Sequence, residues 1–166
     1  YDRERHEKEL GKVGPSNHAI MTMVGLAEIN TVLEHDGEAD RWVARLMQTA
    51  RDMGQVHNLC NALMFCGCFL PILGGRPEGV DRNAAELKAL SQEHKLPYWL
   101  GHAELFGGLD QIRRGNVDEG FVEARRGMQQ IVASKAFMNG PYIVYAEACQ
   151  QAGRIDEARR SLERAK

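Results

Sequence analysis

An all-α fold of stacked helical hairpins is what this sequence predicts, and three observations predict it. A small residue is followed twelve positions later by a second small residue, itself preceded by Glu, four times over. The pairs are Ala27/Ala39, Gly67/Gly79, Gly108/Gly120 and Ala146/Ala158, and the glutamates are Glu38, Glu78, Glu119 and Glu157. Successive copies lie 40, 41 and 38 residues apart, a period that marks arrays of stacked helical units. Apolar residues recur at helical spacing almost throughout, whereas the alternation of a half-buried strand is scarce.

The elements follow in order. Residues 16–34 place Ile20, Met23, Val24, Ala27 and Val32 on one helical face, with Pro15 and Ser16 as the start. Gly37 is the expected stop. From Glu38 a second amphipathic helix runs to Met53, with Trp42, Val43, Leu46, Met47 and Ala50 inside, and Gly54 closes it. Residues 57–73 read as an apolar helix ended by Pro71 and Gly74-Gly75. Its partner is 77–94, with Pro77 in the first turn. Residues 97–114 start at Pro97 and stop at Gly115; 117–134 follow. Residues 141–152 start at Pro141 and stop at Gly153, and 155–166 complete the chain. The units are therefore about 15–54, 55–94, 95–134 and 139–166. Residues 1–12 read as the tail of an earlier helix, ended by Gly11 or Gly14. The chain begins on Tyr1 rather than Met, so the expectation is a piece of a longer protein.

The repeated residues have mechanical reasons. Paired helices lie roughly 8–10 Å apart, so a large side chain near the turn would wedge them open. Small residues on both helices let them approach. The acids Glu38/Asp40, Glu78/Asp81, Asp118/Glu119 and Asp156/Glu157 fall near the start of each second helix. Carboxylates there complement the helix N-terminus by about 0.3–1 kcal/mol each. Adjacent helix positions do not face each other, so none of these pairs is a catalytic dyad.

Composition narrows the function classes. Lys+Arg total 21 against Asp+Glu 23, with the signs interspersed, so charge gives no reason to expect nucleic acid or an anionic membrane. The pairs Arg113-Arg114, Arg125-Arg126 and Arg159-Arg160 read as solvated helix faces and charges near helix C-termini. Cys60, Cys66 and Cys68 share the apolar run 58–73 and read as buried free thiols in a reducing cytoplasm. That run reads as too short to span a bilayer, and the N-terminus shows no signal-peptide pattern.

The small–small interval, with the segments Gly115-Asn-Val-Asp-Glu-Gly-Phe and Gly153-Arg-Ile-Asp-Glu-Ala-Arg, resembles the tetratricopeptide repeat. The usual period is 34, so each unit here carries about one further turn or a longer connector. The resemblance implies a right-handed α-solenoid of about four hairpins. A narrower one rests on Lys95-Leu-Pro-Tyr-Trp-Leu-Gly-His-Ala-Glu-Leu, on the Gly115 segment and on Ala146-Glu-Ala-Cys-Gln-Gln-Ala-Gly-Arg. These are similar to the C-terminal helical region of large bacterial signalling proteins. Such proteins join a class III adenylate cyclase or a DNA-binding domain to an ATP-binding module and a tetratricopeptide-like tail. Neither a phosphate loop nor the metal-binding carboxylates of a cyclase is found in this chain, so the resemblance implies catalysis elsewhere, if at all.

Other constellations lead nowhere specific. His102-Ala103-Glu104 begins a zinc-deaminase motif whose Pro-Cys-x-x-Cys is absent. His57 and Cys60 could share a helix face, but no second ligand pair accompanies them. His6-Glu7-Lys8-Glu9 lacks the second His of a zincin. Gly74-Gly75-Arg76-Pro77 has no following Gly-Lys and reads as a hairpin turn. Ser16, Ser91, Ser134 and Ser161 stand in no nucleophile elbow. Nothing calls for a cofactor or a metal. Cys149 and the histidines could meet in space, which leaves an enzyme as one reading.

First helices of such an array line its inner surface. With the small residue as register mark, the groove positions of the resembled family fall on Met21, Val24, Glu28 and Thr31. They continue on Asn61, Met64 and Cys68, then His102, Leu105, Leu109 and Ile112, then Ile143, Glu147 and Gln150. Of these, Glu28, Asn61, Met64, His102, Leu105, Leu109, Glu147 and Gln150 are the candidate binding residues. That groove is apolar with a few polar points and suits an amphipathic helix or an extended apolar peptide. The expected partner is a protein or peptide, or another domain of the same chain, in the cytoplasm. Self-association through apolar end faces is expected of the piece alone. The leading reading is a protein-interaction and regulatory scaffold in signal transduction; a peptide or small-molecule sensor is the alternative.

Overall fold

The computed structural model describes residues 18–135 and 139–165. The helical tail at 1–12, the start signals Pro15 and Ser16, and His6 to Glu9 lie outside the described residues. Among the described residues all regular structure is helical, in eight helices. They are α1 His18–Val32, α2 Asp36–Met53, α3 Val56–Leu73, α4 Val80–Glu93, α5 Pro97–Arg113, α6 Val117–Ala133, α7 Gly140–Gln151 and α8 Ile155–Arg164. They pack as the pairs α1–α2, α3–α4, α5–α6 and α7–α8, and the first helices also touch across pairs.

One turn type joins the members of every pair. Glu34, Gly75, Gly115 and Gly153 have φ of 58°, 68°, 97° and 73°. The next N–H, from His35, Arg76, Asn116 or Arg154, reaches the carbonyl five residues back, at 2.8–2.9 Å. This left-handed stop satisfies carbonyls that the helix end would orphan. In the first pair the stop is Glu34 and not Gly37, which lies inside the first turn of α2. A side chain at positive φ costs about 1 kcal/mol relative to Gly.

The closest approach is between α5 and α6. A Cβ placed on Gly108 would sit 2.5 Å from the Gly120 carbonyl oxygen and from the Ala124 nitrogen. Two turns away, one placed on Gly101 would sit 2.9 Å from the Gly127 oxygen. The backbones themselves touch at two levels, and the order of the contacts makes the pair antiparallel. In the second pair Gly67 faces Asn83 instead, with a built Cβ at 2.9 Å from the Asn83 side chain. Gly79 does different work from that expected. It stands just before α4 at φ 82° and supplies a backbone conformation rather than a helix contact. For the same reason Pro77 and Glu78 precede the helix, where a helix start at Pro77 was expected.

In the first pair both repeated alanines are buried. Ala27 is buried in the apolar core with Leu46 and Ala50. Ala39, expected as its counterpart, is buried as well but lies outside that core. It lines a cleft of about 320 Å³ with Thr31, Val43, Cys66 and Leu70. Helix α2 begins at Asp36 and not at the expected Glu38, so Ala39 closes its first turn.

Helix α3 winds as α over Val56–Ala62, widens to π over Leu63–Phe69 and returns to α over Leu70–Leu73. It thus runs through Pro71, which was expected to end it. Proline has no N–H to give the Gly67 carbonyl and crowds that carbonyl in α geometry. Asn83 Nδ2 donates to the Gly67 oxygen at 2.9 Å in its place, while the Leu70 N–H reaches back to Phe65 O. The helix is also long and apolar enough to cross a membrane, contrary to the shorter run read from sequence. More than half of it is buried in the bundle, and its buried side chains belong to the protein core.

Candidate functional site

The predicted groove residues divide by burial. Glu28, Glu147 and Gln150 are exposed. Asn61, Met64, His102, Leu105 and Leu109 are buried and offer little or no surface in this conformation. At the matching register of the four first helices, six residues before the repeated small residue, stand Met21, Asn61, His102 and Gly140. Met21 is exposed, Asn61 and His102 are buried, and Gly140 is half-buried. Asn61 Nδ2 donates to Met21 Sδ at 3.4 Å, and its Oδ1 has no hydrogen-bond partner.

His102 is buried, with aromatic rings of its own helix on either side. Tyr98 meets it edge-on at 4.7 Å and Phe106 stacks at 6.3 Å. Both ring nitrogens lack a hydrogen-bond partner. Burial pushes its pKa down to about 3, because the imidazolium would lose its hydration with nothing to replace it. Near neutral pH it is an uncharged packing residue. His57 accepts a hydrogen bond at Nδ1 from Trp99 Nε1 at 3.1 Å. All four cysteines are buried free thiols. Burial pushes Cys60 up to about 11 and Cys66 to about 12, and raises Cys68 and Cys149 too. Thiols so protonated are poor nucleophiles near neutral pH. Among the described residues no group of three or more His, Cys, Asp or Glu is placed to hold a metal ion.

Two cavities concern binding. A cleft of about 240 Å³ opens where α3, α5 and α7 meet. It brings Leu109 and Glu147 together, with Ile72, Val80, Ile112 and Val144 as apolar walls. A cleft of about 460 Å³ lies between α6 and the α7–α8 pair, walled by Met128, Val132, Ala133 and Tyr142. At its edge Arg125 Nε and Nη2 donate to the Glu157 carboxylate at 2.9 and 3.1 Å. Tyr145 OH donates to the same carboxylate at 2.5 Å. These partners, Arg125 first, hold the Glu157 pKa down at about 2.

Polar ties between pairs escaped the sequence reading. Basic residues of α2, α4 and α6 reach acids one pair further on: Arg51 to Glu86 at 3.2 Å, Lys88 to Glu123 at 2.7 Å, Arg125 to Glu157 at 2.9 Å. At the turns, Arg76 reaches Asp36 and Asp40, and Arg114 reaches Asp81. Arg154 instead lies over the Phe121 ring, 4.1 Å from its centroid. Arg113 and Arg126 likewise hold Asp110 and Glu104. Two of the arginine pairs read as solvated are therefore engaged with carboxylates. The signal was available but lay outside the repeat register: the cations recur 37 residues apart and the acids 37 and 34 apart, about one helical turn short of the repeat intervals.

Exposed apolar side chains remain at the end of α1 and on the residue that follows it. Ile29, Val32 and Leu33 are 57%, 65% and 57% exposed, and their spacing of three and four places them side by side. No family model, curated protein or solved structure matches the chain.

Proposed function

We propose that the chain is a protein-interaction and regulatory module. It is a tetratricopeptide-like right-handed solenoid serving a bacterial multidomain signalling protein of the cyclase or DNA-binding regulator kind. The observation that carries the interaction reading is the triplet Ile29, Val32 and Leu33. Three large exposed aliphatic side chains cost solvation in the isolated chain and gain it back under a partner. The signalling context rests on the sequence resemblance alone. The test is a photocrosslinking amino acid placed at Ile29 or Val32 in the intact parent protein in its own host. A single discrete crosslinked product, another domain or a defined protein, is the expected result. Crosslinks no more discrete than those from an exposed charged site such as Arg159 would sink the reading.

A second reading, a sensor that binds a peptide or small molecule, is favoured by the cleft that joins Leu109 to Glu147 among apolar walls. Its ligand would be apolar with a cationic group facing Glu147. Loss of ligand response in Glu147→Gln, with unchanged thermal stability, is the expected signature.

A further inference from the structure

We propose that the cleft between α6 and the α7–α8 pair binds an amphiphilic carboxylate, an alkyl or aryl chain ending in one carboxyl group. This stands apart from the interaction reading and uses different residues. The volume, about 460 Å³, lies within the range of small-molecule sites. Its walls are apolar where Met128, Val132, Ala133 and Tyr142 face it, so an alkyl or aryl chain is accommodated. The charges at the rim are asymmetric. Glu157 is already held by Arg125, by Tyr145 and by Arg154 at 3.1 Å, so its negative charge is met. Arg160 and Arg164 also line the cleft, both are exposed, and neither makes an ion pair among the described residues. One helical turn separates them, so both guanidinium groups project from the same side of α8. A guanidinium stays charged across the physiological range and matches a carboxylate with paired donors. The uncompensated charge at this cleft is therefore positive and is carried by α8.

The test uses the full chain and three probes with one alkyl chain: octanoate, octanol and octylammonium. Titration is followed by calorimetry and by NMR shifts of the side-chain methyl groups. Octanoate is expected to saturate one site, shift Met128 and Val132, and bind more tightly than the other two. Arg160→Gln with Arg164→Gln should weaken octanoate about tenfold and leave octanol unchanged. Both positions are exposed, so the variant keeps the fold. Val132→Glu should weaken octanoate as well, by placing a like charge in the wall. Equal binding of the three probes, indifference to the arginine pair, shifts confined to Ile29, Val32 and Leu33, or no saturable binding would each overturn the proposal.

Discussion

The α5–α6 and α7–α8 pairs share a repeat register and are held in different ways. In α5–α6 the backbones touch at Gly101/Gly127 and Gly108/Gly120, leaving no room for a single methyl group. In α7–α8 alanines occupy the matching positions, Ala146 and Ala158, both buried. Both unions also draw on polar contacts. In α5–α6, Arg126 and Gln130 reach the Glu104 carboxylate at 2.9 and 2.6 Å. In α7–α8, Ser161 Oγ donates to the Tyr142 carbonyl at 2.8 Å and Tyr145 holds Glu157, which Arg125 also ties to α6. One sequence position can thus serve direct backbone contact in one unit and ordinary packing in the next. Where contact is backbone to backbone, geometry decides stability. Where it runs through a carboxylate, proton concentration decides too.

The largest expected effect breaks the first half of that contrast. Gly108→Ala should cost about 3 kcal/mol, because rigid main chain, not a movable side chain, meets the new methyl. Chemical denaturation measures it. Gly67→Ala should cost less, since Asn83 can swing away at the loss of its bond to the Gly67 carbonyl. The second half breaks with Glu157→Gln, at about 2 kcal/mol, since the amide cannot accept as strongly from Arg125 and Tyr145.

Acid separates the pairs through two groups. His102 is held near 3 against an ordinary 6.5. In that window the unfolded chain takes up a proton that the fold refuses, so stability falls as pH drops from 6.5 towards 3. Glu157 is held near 2 against 4.5, so its contribution is present above 4.5 and is lost as pH falls towards 2. Of these two groups only His102 titrates between 6.5 and 4.5, where the loss should be about 2 kcal/mol. His102→Leu should flatten that limb in a series of thermal melts, and Glu157→Gln should leave it intact. A limb unchanged in His102→Leu would show that the buried imidazole is not its source.

Smaller effects sharpen the picture. Glu34→Gly should stabilise by about 1 kcal/mol, because Glu34 alone among the four hairpin stops is not glycine. Lys88→Met should cost about 0.5 kcal/mol at most, as expected of a half-exposed ion pair to Glu123.

Helix positions and turns were legible in the sequence because apolar spacing, glycine and proline act locally. Gly115 and Gly153 marked their turns by residue type, whereas Glu34 gave no such sign and drew attention to Gly37. The π-widened turn in α3 was hidden because it depends on Asn83 reaching Gly67 from another helix. Gly79 resembled a contact residue, since a small side chain reads the same whether space or φ demands it. The candidate groove residues were placed by register alone, and register does not say which first-helix positions a neighbouring helix covers. Asn61 and His102 are covered; Glu28 and Glu147 are not. The cleft beside α6 was invisible because α6 and α8 are distant in sequence.

Native-state hydrogen exchange near neutral pH, in the wild-type chain and in Glu157→Gln, tests the contrast between the two pairs most directly. It resolves local opening helix by helix. The account predicts that protection falls across α7 and α8 while α5 and α6 keep their wild-type protection. An equal fall in all four helices, or no fall in α7 and α8, would contradict it.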